Sequence, residues 1–117
     1  MTRARALPPG LAVAAMLALL HPAAACADSS MDAGRVVYEQ WCAACHDPGI
    51  NHPGTHALLA KYSGTKPAAL VDRTDLTPDV VKYFVRHGIT IMPFFRKTEI
   101  SDSELAALAA YLSRNTR

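Results

Sequence analysis

The stretch Trp41-Cys42-Ala43-Ala44-Cys45-His46 decides which fold the rest of the chain must form. Two thiols lie three positions apart, and an imidazole follows the second thiol directly. Cys-x-x-Cys-His is the attachment signature of c-type haem. At a helix end each thiol can add to one vinyl group of the haem, which leaves the imidazole beneath the iron. The sequence therefore predicts one covalently bound haem c, with Cys42 and Cys45 as anchors and His46 as an axial ligand.

Three other chemistries use closely spaced cysteines. A redox dithiol of the thioredoxin type needs a strand followed by a helix, a context that this sequence lacks. A disulfide between Cys42 and Cys45 would close a very small loop, would stabilise little, and would leave His46 without a role. The number of ligands allows a Cys2His2 zinc site, because His52 and His56 follow the two cysteines. Their spacing, however, matches no common zinc finger. Haem attachment is the favoured prediction.

The second axial ligand decides what a haem protein does. Met92 lies in Thr90-Ile91-Met92-Pro93-Phe94, between two predicted helices, where Pro93 stiffens the backbone. Met31 lies at the edge of the helix that carries the motif, on the wrong side to return across the ring. His87 is the main rival, and His52 and His56 are further candidates. Because His with Met is the usual axial pair of cytochromes c, we expect Met92 to be the ligand.

The periodicity of apolar residues predicts helices and no convincing strand. A helix is expected from Asp32 to about Cys45, followed by a loop over 47–55 that is dense in Pro and Gly. Shorter helical pieces are expected over 57–62 and from 67 to 71. The alternation from Ile89 to Met92 is too short for a strand.

Two further helices are marked by their ends. Thr77 and Pro78 are typical of the N-cap and first position of a helix, and Gly88 is typical of its end. Ser101 and Glu104 have the spacing of a capping box at the start of the last helix. Together these signals predict an all-α domain.

The first 27 residues have the layout of a secretory leader. Arg3 and Arg5 precede the apolar run Leu11–Leu20, and small residues follow up to Ala27. The run is too short to span a bilayer, which takes about 20 residues. We therefore predict a cleaved signal peptide over 1–27, a haem domain over 28–117 and export to the periplasm, without a membrane span. Cleavage after Ala25 is an alternative.

A lipid anchor is a second alternative for this terminus. Cys26 could be the lipidated first residue of a lipoprotein. The position three residues before it holds Ala23, where a bulky Leu is expected, so this prediction is less favoured.

Length and charge exclude several classes of function. The chain has 117 residues, which allows one domain, so a two-domain enzyme with its own nucleotide fold is excluded. Two of the 12 basic residues lie in the predicted leader, and all 10 acidic residues lie from Asp28 onward. The remaining chain is balanced in charge, and no basic surface for nucleic acid is indicated.

The order of helix, Cys-x-x-Cys-His, proline-bearing loop, helix, Met-Pro and final helix resembles class I cytochromes c over the whole predicted mature chain. The resemblance implies that Cys42 and Cys45 form thioethers, that His46 is the proximal ligand and that Met92 is the distal ligand.

The same resemblance implies particular packing contacts. Gly34 and Tyr38 match the close-packing positions of the first helix in that family, and Leu108 and Tyr111 match their partners on the last. The family also uses the carbonyl of a loop proline to accept the proton of the proximal histidine, and Pro53 is the candidate for that role here.

Two strong axial ligands would leave no open coordination site, so the iron would only change its charge by one. We expect the ring to be buried against Tyr38, Phe84, Ile91, Phe94 and the final helix, which favours a positive reduction potential. The function predicted is electron transfer, without catalysis by the chain itself.

Four segments resemble the cytochrome subunits of flavocytochromes that oxidise 4-alkylphenols, such as the p-cresol methylhydroxylase and eugenol hydroxylase type. These segments are 62–70, 73–78, 85–88 and 92–101. The resemblance implies a flavoprotein partner with covalent FAD, docked at an apolar rim near the haem edge, and a downstream redox protein or oxidase. One alternative is a free periplasmic carrier between a dehydrogenase and an oxidase. Another is a haem enzyme or gas sensor, which would require Met92 to leave the iron.

Overall fold

The computed structural model describes residues 22–117, with side chains from residue 29 onward. The regular elements of this part are α1 (Pro22–Trp41), α2 (Ala43–His46), α3 (Pro53–Tyr62), α4 (Pro78–His87) and α5 (Asp102–Ser113), with a 3-10 turn at Leu70–Asp72. No strand occurs among the described residues, where Ile89 and Met92 form an isolated bridge. The all-α prediction is therefore confirmed. The basic and apolar parts of the predicted leader lie outside the described residues, as does the side chain of Cys26.

The bounds of α1 and the start of α3 differ from the prediction. The first helix begins at Pro22 rather than Asp32 and ends at Trp41, and Cys42, with φ −116° and ψ −38°, separates it from α2. The predicted loop ends at His52 rather than Thr55, because Pro53 occupies the first position of α3. A proline there has a suitable φ and lacks only an N–H that the helix would leave unpaired.

The caps predicted for the last two helices are formed. The Thr77 hydroxyl accepts a hydrogen bond from the Val80 N–H at 3.3 Å. The Ser101 hydroxyl accepts from the Glu104 N–H at 3.3 Å, and the Glu104 carboxylate accepts from the Ser101 N–H at 2.7 Å. Each side chain satisfies a backbone donor that the helix itself leaves free.

The core lies where α1 and α4 pack against α5. A Cβ at Gly34 would overlap the Ala107 carbonyl, so the first and last helices approach backbone to backbone. Tyr38 packs against Tyr111, with ring centroids 5.8 Å apart, as the family resemblance implied. Leu108 has no exposed surface and lies at the centre of this core. None of the described helices is long and apolar enough to cross a membrane. The three packed helices form a frame against which the loops that bear the site are held.

Candidate functional site

A cavity of about 530 Å³ lies between the helical frame and the loops. Cys42, Cys45, His46 and Met92 all line it, although Met92 is far from the other three in sequence. Most of the other wall side chains are apolar, among them Trp41, Leu58, Leu70, Leu76, Val81, Phe84, Val85, Ile91, Phe95, Leu108 and Leu112. A cavity with apolar walls and a few convergent polar groups is typical of a cofactor site.

The other candidate axial ligands, Met31, His52, His56 and His87, do not line this cavity. Among the described residues, its wall includes one methionine, Met92, and one histidine, His46. The His87 ring stacks on Tyr83 at 4.3 Å, and its Nδ1 lies 2.7 Å from the Tyr83 carbonyl oxygen. His52 Nδ1 lies 3.1 Å from the Ala44 carbonyl oxygen. No group of three or more metal-binding side chains forms in the described part of the chain, so the zinc alternative gains no support.

His46 is held by its close neighbour Gly54. A Cβ at residue 54 would lie 2.6 Å from His46 Cε1 and 2.7 Å from the Cys45 carbonyl oxygen, so the imidazole packs directly on the α3 backbone. Burial lowers the pKa of His46, which favours the neutral imidazole that metal ions bind.

His46 Nδ1 is buried without a hydrogen-bond partner among the described residues. The hydrogen bond predicted to the Pro53 carbonyl is therefore not formed, and that prediction is wrong. Pro53 is the first residue of α3, and a carbonyl at this position is directed along the helix axis toward the N–H four residues on.

The two cysteines form no disulfide with each other and lie in different surroundings. Cys42 is buried, and burial together with the nearby Cys45 raises the pKa of its thiol to about 12. Cys45 is exposed. The motif therefore presents one thiol at the rim of the cavity and one within it.

The loop after His46 is fixed by two hydrogen bonds to Asp47. The Tyr38 hydroxyl donates to Asp47 Oδ1 at 2.8 Å, and the Thr55 hydroxyl donates to the Asp47 carbonyl at 2.9 Å. This use of Tyr38 keeps its ring between the first and last helices and away from the cavity wall. Phe94 is also absent from the wall and is 59% exposed. Both were predicted to bury the haem, and both predictions are wrong. Phe84 and Ile91 do line the cavity, although Ile91 has 84% of its surface exposed.

Met92 is presented by a tight turn. The backbones of Ile89 and Met92 exchange two hydrogen bonds, of 3.1 and 2.9 Å, across a turn in which Thr90 has φ +51°. Gly88 has φ +68°, and a Cβ there would lie 2.6 Å from the Met92 carbonyl oxygen. A side chain at residue 88 would therefore force the turn away from α4.

Arg73 is a wall residue that the sequence patterns did not predict. It is only 5% exposed, and its guanidinium binds Asp75 through Nε at 2.6 Å and Nη2 at 2.9 Å. Lys66 Nζ binds the same carboxylate at 2.6 Å, and the guanidinium lies 4.8 Å from the centre of the Tyr62 ring. A buried arginine is unusual unless it is paired, and the nearby Asp75 is the signal that could have indicated it.

The ion pair of Arg73 with Asp75 predicts that the free energy of unfolding depends on pH. Hydrogen bonds from Arg73 and then Lys66 hold the pKa of Asp75 well below its ordinary value of 3.8. The ionised carboxylate therefore stabilises the folded chain at pH values above about 4, and this contribution is lost as the pH falls below that value. We expect Asp75→Asn to be less stable than the wild type at pH 7 and to lose less stability on acidification, measured by urea unfolding from pH 7 to pH 2.

Asp72→Asn is the matched control, because the Asp72 side chain is exposed and forms no ion pair with a described residue. Equal slopes of stability against pH for Asp75→Asn and the wild type would contradict the prediction.

Comparison with known proteins identifies the family of this chain. Residues 29–112 match the family model described as "Cytochrome C oxidase, cbb3-type, subunit III". The chain belongs to this family of cytochrome c domains and is a c-type cytochrome, a class that implies haem c.

One relative indicates which kind of c-type cytochrome the chain resembles. The chain is 31% identical over 87 residues to the 4-cresol dehydrogenase [hydroxylating] cytochrome c subunit of Pseudomonas putida. The aligned region is 74% of this chain and 64% of the relative, so the chain spans less than two thirds of that protein's length. The predicted resemblance to cytochrome subunits of this kind is confirmed.

Proposed function

We propose that the chain is a monohaem electron-transfer cytochrome in which Cys42 and Cys45 anchor the haem and His46 and Met92 bind the iron. The observation that carries the proposal is that these four side chains line one cavity, whose wall includes no other methionine or histidine among the described residues. When bound, the haem supplies a one-electron couple. The chain supplies the two axial ligands and the apolar enclosure.

The cysteines and His46 have separate tasks. Cys42 and Cys45 would each hold the haem by a thioether, formed by addition of the S–H bond across one vinyl group, a reaction that needs no oxidant. Attachment through the same short helix that ends in His46 then fixes the imidazole relative to the ring. The close contact with Gly54 restricts rotation of the imidazole, in place of the absent Nδ1 hydrogen bond.

The apolar walls favour a positive reduction potential. Leu58, Leu76 and Val81 are among the side chains that would exclude water from the ring, and a low dielectric disfavours the extra charge of the ferric state. Arg73 and Lys61 give one part of the wall positive charge, which suits the two carboxylates of a haem.

Ligation on both faces supports electron transfer over catalysis. With His46 and Met92 both bound, neither oxygen nor a substrate has a coordination site on the iron. The alternative, a haem enzyme or gas sensor, needs an iron with one free face. Carbon monoxide added to the reduced protein separates the two, because rapid binding requires that free face.

The test begins with the purified protein as the cell exports it. We expect a Soret band, one haem per chain, retention of the haem on a denaturing gel, and slow or absent binding of carbon monoxide. A protein without a Soret band, or one that binds carbon monoxide rapidly at neutral pH, would overturn the proposal.

The proposed electron donor is a flavoprotein with covalent FAD that oxidises a 4-alkylphenol. The support is the similarity to the cytochrome c subunit of the 4-cresol dehydrogenase of Pseudomonas putida. A stoichiometric complex with such a flavoprotein on gel filtration, and its rapid oxidation by the ferric cytochrome, are expected. If the chain elutes alone and accepts electrons equally well from unrelated dehydrogenases, it is a free carrier.

The proposed location is the periplasm, after removal of residues 1–27. Mass spectrometry of the mature N-terminus is the measurement that checks it. A first residue at or near Asp28 is expected, whereas an acylated Cys26 would identify a lipoprotein.

A further inference from the structure

We propose that Arg86 is the positioning residue that holds Met92 at the cavity, a role that rests on the proposed ligation of the iron by Met92. Arg86 lies in the last turn of α4, and its side chain is 19% exposed. It is not part of the cavity wall, so it would act on the site through the segments that its guanidinium binds.

The Arg86 guanidinium binds both ends of the segment between Met92 and α5. Its Nη1 donates to the Phe95 carbonyl at 3.0 Å and to the Ile100 carbonyl at 2.9 Å. Its Nη2 donates to Asp102 Oδ1, in the first turn of α5, at 2.9 Å. One side chain therefore joins the end of the loop that carries Met92, residues 88–95 (the methionine loop), to the start of α5.

Besides Arg86, the methionine loop is attached to the helical frame at Phe95, whose ring packs edge-on against Trp41 of α1 with ring centroids 5.7 Å apart. Within the loop, Ile89 and Met92 bond each other, which shapes the turn but does not anchor it. Toward α4, the Phe95 N–H donates to the Val85 carbonyl at 2.8 Å, so the Phe95 peptide is held on both sides, by the α4 backbone and by Arg86. Phe95 is three residues after Met92, close enough for its position to set that of the sulfur.

The geometry requires an arginine. A planar guanidinium donates in several fixed directions and can serve two carbonyls and a carboxylate together, whereas the ammonium of a lysine is a single point of charge on a flexible stem. Hydrogen bonds from a charged donor are also stronger than neutral ones. Loss of the guanidinium should release the loop while the core of α1 and α5 stays packed.

The experiment compares the haem-loaded wild type with Arg86→Gln, Arg86→Lys, Met92→Ala and Lys97→Gln. Lys97 is the matched control, because it also binds Asp102, at 2.7 Å, but touches neither carbonyl. The readouts are the rate of carbon monoxide binding to the reduced protein, the reduction potential, and amide hydrogen exchange in residues 88–95.

We expect Arg86→Gln to bind carbon monoxide at least about tenfold faster than the wild type, because losing charge-assisted bonds raises the population of the open loop. Exchange should rise in residues 88–95 and remain unchanged in α1. Arg86→Lys should lie between Arg86→Gln and the wild type, and Lys97→Gln should match the wild type.

The outcomes separate this role from the proposed ligation. If the wild type binds carbon monoxide as fast as Met92→Ala, Met92 is not a ligand and both proposals fall. If these two differ while both Arg86 variants bind it as slowly as the wild type, only the role of Arg86 is overturned. Should Arg86→Gln not fold, Arg86→Lys decides by the same comparison.

Discussion

The Met92→Ala variant is expected to have a reduction potential lower than that of the wild type by on the order of 100 mV or more, within the ~0.8 V range that axial ligands set. The thioether sulfur raises the potential of a haem, and alanine offers no ligand in its place. The variant should also bind carbon monoxide rapidly when reduced, because one face of the iron is then open. Redox titration and stopped-flow mixing measure the two effects.

Met31→Ala is the control for this prediction. Met31 lies in α1 and does not line the cavity, so its replacement should leave both the potential and the carbon monoxide reaction unchanged. If the two variants behave alike, the assignment of Met92 as the ligand is wrong.

Leu108→Ala is expected to lower the free energy of unfolding by about 2–5 kcal/mol, the usual cost of truncating a fully buried leucine. Leu108 has no exposed surface and contributes to both the helical core and the cavity wall. Its removal would enlarge the cavity from the α5 side and leave a void beside the haem. Urea unfolding followed by the Soret band and by helical circular dichroism measures the loss.

Leu59→Ala tests whether this loss comes from burial. Leu59 is 46% exposed on α3 and does not line the cavity, so its truncation should cost much less than that of Leu108. Similar losses for the two variants would contradict the expectation that the loss comes from burial.

Several features were predictable because they depend on residues close in sequence. The caps formed by Thr77 and Ser101 involve partners three positions away, and both are present. The error at the start of α3 is also local, because a proline suits both a loop and the first position of a helix. Pattern alone could not decide between these two uses of the same residue.

The errors at the site have a different origin. Tyr38 and Phe94 are aromatic residues near the motif and near Met92, and their hydrophobicity alone predicts burial against a haem. Tyr38 instead binds Asp47 and packs on Tyr111, and Phe94 is exposed. Hydrophobicity predicts that a side chain is buried but does not say against which neighbour.

By itself, the sequence determined the presence of the Cys-x-x-Cys-His signature, the helical class and the starts of the last two helices, because each depends on a few neighbouring residues. Only the tertiary structure decided that Met92 shares a cavity with His46, that Arg73 is buried on its wall, and that Arg86 reaches Phe95 and Ile100. These contacts join separate parts of the chain, and they exist only once the packing of α1 and α4 on α5 fixes where each loop runs.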